Sequence, residues 1–132
     1  MRVRVQNSSS VNGQFWDELR GLNLVNCNGS TFDPSGSVLQ WRCWLQNANA
    51  VNMAYMLSAQ LAAMKLNVLS GGVNANCWVS TPQGPMQIGA VMTAANQALA
   101  LDPFTPSGDA NRAVQTFLKN VLDAANNNLN WL

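Results

Sequence analysis

Histidine is absent from this 132-residue chain, which removes any Ser-His-Asp or Cys-His arrangement and leaves the other nucleophiles without an identifiable activating base. Zinc and thioredoxin-like redox chemistry also lack support, because the three cysteines, Cys27, Cys43 and Cys77, are far apart and form no CxxC pair. Charge is scarce: 10% of residues are charged and the formal net charge is +1. There is no basic cluster of the kind phosphate neutralisation requires, so neither nucleic acid nor an anionic membrane surface is an expected partner. Phosphate loops of the GxGxxG or GxxxxGK[ST] type are missing. The six carboxylates, Asp17, Glu18, Asp33, Asp102, Asp109 and Asp123, fall mostly at helix starts or beside prolines, where capping accounts for them. Asp33-x-Ser35-x-Ser37 lacks the later bidentate glutamate of a calcium loop and reads as a helix cap. The expectation is a protein that is not an enzyme, with no catalytic residues, no metal and no cofactor.

Long apolar runs are missing as well. The most apolar stretch is interrupted by Asn52, Ser58, Gln60, Lys65 and Asn67, so no membrane span is expected where about 18 or more consecutive apolar residues would be needed. The start, MRVRVQNSSS, has two arginines but no apolar core or small-residue cleavage pattern, and no signal peptide is read in this chain.

What is present is a 48% hydrophobic composition made soluble by neutral amides, eighteen of them asparagine. The length suits one domain burying roughly two-thirds of its unfolded surface. Residues 1–132 therefore read as a single helical domain, with 1–10 as an N-terminal arm or edge strand. The chain is organised around Ala50 to Gly71. Met53, Met56, Leu57, Leu61, Met64 and Val68 form a stripe there, and Ala54, Ala59, Ala62 and Ala63 flank it with small side chains that allow close helix approach. Such a helix must be surrounded by other elements.

The other helices are expected at Gln14 to Leu22, at Val38 to Ala48 after an Asp33-Pro34 start that Gly36 delays, at Met86 to Ala100, and at Asp109 to Ala125 after a Ser107 or Asp109 cap. The last carries a stripe of Ala110, Ala113, Val114, Phe117, Leu118, Val121, Leu122 and Ala125. Trp41 and Trp44 fall at helical spacing, which favours a core role over a carbohydrate platform. Arg2 to Gln6 alternates polar and apolar residues like a short edge strand, and needs a partner in Asn76 to Ser80, in Leu129 to Leu132, or in a neighbouring molecule. The fold class is thus mainly α: about five helices around a central apolar helix, with one or two short β-strands.

Gly21-Leu22-Asn23-Leu24, Thr31-Phe32-Asp33-Pro34, the run from Asn52 to Val68, Gly108-Asp109-Ala110-Asn111-Arg112-Ala113 and Leu122 to Asn128 together resemble an uncharacterised Asn-rich module of bacterial secreted and cell-surface proteins. The resemblance covers most of Phe15 to Asn130 and carries no functional residues; the Thr-x-Gly-Tyr-Trp-Lys-Asn-His type segment that often accompanies the module is missing here. It implies an extracellular or cell-surface setting, in which a disulfide becomes the favoured reading of the cysteines over three small buried hydrophobes. Cys27 and Cys77 are the preferred pair, because both lie in expected loops whereas Cys43 lies in a helix.

Two functions are expected from different classes. The first is a non-catalytic extracellular structural protein that self-associates as a homo-oligomer, a fibre or a surface layer. The low charge, the unpaired N-terminal strand pattern and the odd cysteine motivate it. The second is a glycan-binding module using Trp78 or Trp131 beside asparagines.

Overall fold

The computed structural model describes residues 17–33 and 37–132, and it is mainly α-helical. The expected strand Arg2 to Gln6 and the start of the first expected helix lie outside the described residues. Residues 17–20 are helical, and Leu19 is fully buried.

Helix α1, Val38–Gln46, starts from Ser37, whose hydroxyl accepts from the Gln40 N–H at 3.1 Å. The cap is therefore Ser37 and not Asp33: a side-chain acceptor directly before the first helical residue satisfies an otherwise unpaired N–H. Trp41 and Trp44 are core residues as expected. Phe32 stacks on Trp44 with centroids 4.3 Å apart, and the Trp44 indole N–H donates to the Val25 carbonyl at 3.0 Å.

Helix α2, Met53–Leu69, is the centre of the molecule, and twelve of its seventeen residues are buried. Burial runs around its whole circumference, so the expected stripe is only part of the buried surface. Ala54, Ala62 and Ala63 are fully buried, which lets the neighbouring helices approach closely. The helix starts three residues later than the apolar pattern suggests, because Asn52 is its N-cap and accepts from the Ala54 N–H at 3.0 Å. At its far end Gly71 takes φ +83°, a left-handed conformation that suits glycine after a helix.

The connection out of α2 holds two short antiparallel strands, β1 (Trp78–Val79) and β2 (Met86–Gln87), with Trp78 opposite Gln87 and Val79 opposite Met86. Met86 and Gln87 are thus strand, not the start of a helix. The chain turns between the strands through Thr81 and Gly84, whose main chains exchange hydrogen bonds. Helix α3, Ile88–Leu101, follows at once. Gly89 is required near its start, since a Cβ there would lie 3.0 Å from the Ala75 carbonyl oxygen.

Helix α4, Arg112–Asn126, begins later than the expected Asp109; that carboxylate instead accepts from the Asn111 N–H at 2.8 Å and closes the preceding turn. Leu118, Val121, Leu122 and Ala125 face the core as expected, but Ala113 and Val114 are exposed and Gln115 is fully buried. The physical reason is that the Gln115 amide finds partners inside: it donates to the carbonyls of Ala98 and Asp102 and accepts from the Thr105 hydroxyl.

Helices α2 and α4 run in the same direction. Arg112 reaches the Ala50 carbonyl at one end, and Asn67 bonds Asn126 at the other. Helix α3 runs back between these ends. The chain finishes beside β1: Val79 bridges Trp131, Ser80 N–H donates to the Asn130 carbonyl, and Leu132 N–H donates to the Trp78 carbonyl. The two segments offered by the sequence as partners for Arg2 to Gln6 therefore pair with each other.

Candidate functional site

The C-terminal segment adds one isolated antiparallel bridge, Val79 to Trp131, on the free side of β1, and the alternation of side chains sorts its residues. Val79 and Trp131 point inward, Val79 fully buried and Trp131 packed against the core with its indole N–H donating to the Ala125 carbonyl at 3.1 Å. Trp78 and Leu132 lie opposite each other on the outer face. Their exposures are 50% and 74%, and Leu129, just before this segment, is 77% exposed. Trp78 and Leu132, neighbours across the bridge, form an exposed apolar pair and so a candidate interaction surface. Of the two tryptophans singled out in the sequence, Trp78 is thus available to a partner, whereas Trp131 mainly anchors the strand that carries the edge.

Next to this region, Asn67, Ser70, Gly71, Gly72, Asn126 and Asn128 line an open polar cleft of about 450 Å³. Its amides are partly occupied with one another, since Asn67 donates to the Asn126 side chain while Asn126 donates to the Gln60 carbonyl and side chain. A smaller hollow of about 170 Å³ lies between Pro82, Phe117, Val121 and Asn130.

The cysteines are three free thiols, Cys27 half-buried and Cys43 and Cys77 exposed. The expected pairing of Cys27 with Cys77 is corrected by their placement. Asn26 and Pro103 both accept from the Asn52 amide, which puts Cys27 at the end of α3, whereas the Cys77 carbonyl accepts from Ile88 N–H at its beginning. The fourteen residues of α3 separate these points by about 20 Å, far beyond the ~7 Å that a disulfide spans. Both cysteines do lie in loops, as expected; loop position alone carries no information about which end of a bundle a loop closes.

The described carboxylates are engaged in structural contacts. Asp17 pairs with Arg20, and Glu18 lies 3.7 Å from Lys65. Asp123 accepts from Asn127 and Gln60. Asp102 accepts from the Asn111 amide, the main reason its carboxyl is held below the usual range; burial opposes this, while Asp109 and the Phe104 N–H add to it. Burial, reinforced by Cys27, pushes the Tyr55 phenol up; that phenol donates to the Trp44 carbonyl. Among the described residues no group of three or more His, Cys, Asp or Glu is gathered to hold a metal ion, and none of the helices is long and apolar enough to cross a membrane.

One constellation escaped the sequence pattern. Asn52 Oδ1 accepts from the main-chain N–H groups of Ala54 and Thr105, and the Asn52 amide donates to the carbonyls of Asn26 and Pro103. Thr105 in turn accepts from Ala54 N–H and donates to Gln115. Asn52, Thr105 and Gln115 are all fully buried. With both hydrogen-bonding ends of each amide engaged, this cluster ties α2, α4 and two loops together and leaves nothing over for a ligand. The signal for Asn52 was present, a capping residue directly before an apolar helical run; Gln115 has no comparable signal.

No family model, curated protein or solved structure matches the chain.

Proposed function

We propose that this protein is a non-catalytic extracellular structural protein that self-associates into a fibre or surface layer, with the sheet edge around Trp78 as the association face. The observation that carries the proposal is the exposure of Trp78, Leu129 and Leu132 together, because burying such side chains against another copy recovers about 25 cal/mol per Å² of apolar area. Low charge supports it, since a net charge of +1 gives copies little mutual repulsion. The exposed thiols of Cys43 and Cys77 are accessible for bridges between chains in an oxidising setting. The resemblance to Asn-rich surface modules supplies the extracellular part of the reading.

Light scattering on the full chain at physiological salt tests it. Mass should rise with concentration for the parent protein, and the double variant Leu129→Lys with Leu132→Lys should stay monomeric while keeping its helical signal. A parent protein that is monomeric at every concentration overturns the proposal. The amide-lined cleft beside Asn126 favours a second reading, glycan binding, which requires that added polysaccharide change tryptophan fluorescence without any change in mass of the protein assembly.

A further inference from the structure

Helices α2 and α4 end side by side, and the open cleft of about 450 Å³ lies between their last turns, lined by Asn67 and Ser70 at the end of α2 and by Asn126 and Asn128 at the end of α4. Because the two helices run in the same direction, both present their C-terminal ends here, and each end carries roughly half a negative charge. Neither has a basic residue in its last turn to offset it. Lys65, two residues before Asn67, is turned about 200° away on the helix and sits against Glu18. Asp123 adds charge of the same sign, since its carboxylate accepts from Gln60, whose side-chain oxygen accepts from Asn126.

The oxygens around the cleft have capacity to spare. Asn67 donates to Asn126, while Asn67 Oδ1 and the whole side-chain amide of Asn128 have no hydrogen-bond partner among the described residues. Among the same residues the Ser70 hydroxyl donates to the Asn67 carbonyl and accepts nothing, and no donor reaches the main-chain carbonyls of Ser70 and Asn126. Two negative helix ends disfavour an anion. A neutral ligand can use these oxygens but not their potential. A divalent cation such as calcium is held chiefly through carboxylates, and none lines the cleft. A primary ammonium brings one positive charge and three N–H donors, which suits neutral oxygens gathered at uncompensated helix C-termini.

We infer that this cleft binds a protonated primary amine, carried by an amino sugar or by a lysine-like alkyl chain, with Asn67 Oδ1, Ser70 Oγ and Asn128 Oδ1 accepting from the ammonium. The inference stands apart from the proposed self-association; where the amine is a sugar's, it rests on the glycan-binding reading of the same cleft.

Two pairs of probes that differ in charge test it on the full chain, n-butylammonium against 1-butanol and glucosamine against N-acetylglucosamine, at about pH 6 where both amines are protonated. Binding is followed by NMR through the side-chain amide shifts of Asn67 and Asn128, at a concentration where the protein is monomeric. In at least one pair the amine should bind about tenfold or more tightly than its neutral counterpart, and added salt should weaken it. Equal binding of the two amines, or of butylammonium alone, identifies the ammonium itself as sufficient; glucosamine without butylammonium identifies an amino sugar. N-acetylglucosamine that binds as well as glucosamine overturns the inference and leaves the glycan reading standing. Silence with all four probes overturns the inference, while the polysaccharide titration decides the glycan reading by itself. Ser70 is an exposed cap position, so Ser70→Lys tethers an ammonium at the cleft without disturbing the core and should lose about tenfold more affinity for the amine than Ser70→Gln, which has similar reach and no charge. Equal affinities in these two variants overturn the placement of the amine in this cleft.

Discussion

At the end of the bundle where α2 begins, buried amides and a hydroxyl from Asn52, Gln115 and Thr105 link helices and loops, and Arg112 donates to the carbonyls of Thr105 and Ala50. At the other end, where α4 stops, Leu129 and Leu132 stand in water and the main chain of Trp131 faces outward. The first arrangement is matched in its buried polar groups, although Val51, Leu101, Phe104 and Val114 are exposed around it. The second is unfinished in isolation. The difference teaches that buried hydrogen bonds between side chains hold the first end, whereas the second leaves main-chain groups of Trp131 without a partner among the described residues, and that changes at the two ends should affect different measurements.

The largest effect is expected at the closed end. Asn52→Leu keeps the side-chain volume but removes the acceptor used by Thr105 N–H and the donor used by the Asn26 and Pro103 carbonyls. Ala54 N–H still has the Thr105 hydroxyl. The Asn26 carbonyl keeps Gly29 N–H, so the buried Thr105 N–H is left unpaired and the Pro103 carbonyl loses the Asn52 amide; the loss should be about 2–3 kcal/mol, measured as the denaturant midpoint multiplied by an unchanged slope. A loss below about 0.5 kcal/mol would show that the network is not what holds this end together. Association through the opposite end, measured under conditions where the variant is folded, should be unchanged.

How much of this contrast could be read from residues alone depends on the kind of signal each end uses. The central helix and the two tryptophans of α1 were legible, because large apolar residues at spacings of three and four leave a periodic trace. Asn52 was read as an interruption of an apolar run when it is the cap of that run. Gln115 was invisible in a stricter sense: nothing in the local sequence distinguishes a glutamine that points outward from one whose amide is matched by Thr105 and by the carbonyls of Ala98 and Asp102 at the end of α3. The open edge was half legible. The β-leaning Asn76 to Ser80 and the C-terminal Leu129 to Leu132 were read as candidate partners for Arg2 to Gln6, beside a neighbouring molecule, but period-two patterns do not say which strand pairs with which. Met86 and Gln87 lacked even that, since a two-residue strand is too short to show a period. The cysteines failed for a similar reason, because loop membership does not give the distance between loops.

An intermediate effect is expected at the open end. Trp131→Phe keeps an aromatic ring against the core and removes the indole N–H that donates to the Ala125 carbonyl. That carbonyl also accepts from Asn128 N–H, so it is not left unpaired, and the cost should be about 0.5–1 kcal/mol, the ordinary net worth of one hydrogen bond. Thermal melts of the two proteins, compared at a concentration where both are monomeric, measure it. A loss as large as that of Asn52→Leu would erase the distinction between the two ends.

The smallest effect concerns acid. Asp102 belongs to the closed end, where its carboxylate accepts from the Asn111 amide and its folded-state pKa is lowered chiefly for that reason. A lowered pKa means that the ionised form is favoured by the fold. The contribution is therefore present above the unfolded value of about 4 and is lost as pH falls through the lower folded value. The carboxylate is partly in contact with solvent, which screens the interaction and keeps the loss small. Asp102→Asn has no carboxyl to protonate, so its stability should fall less steeply than that of the parent between about pH 5 and pH 2. Denaturant titrations across that range compare the two acid limbs. Parallel limbs would mean that the acid sensitivity of the fold arises from other carboxylates and that Asp102 adds nothing specific to the closed end.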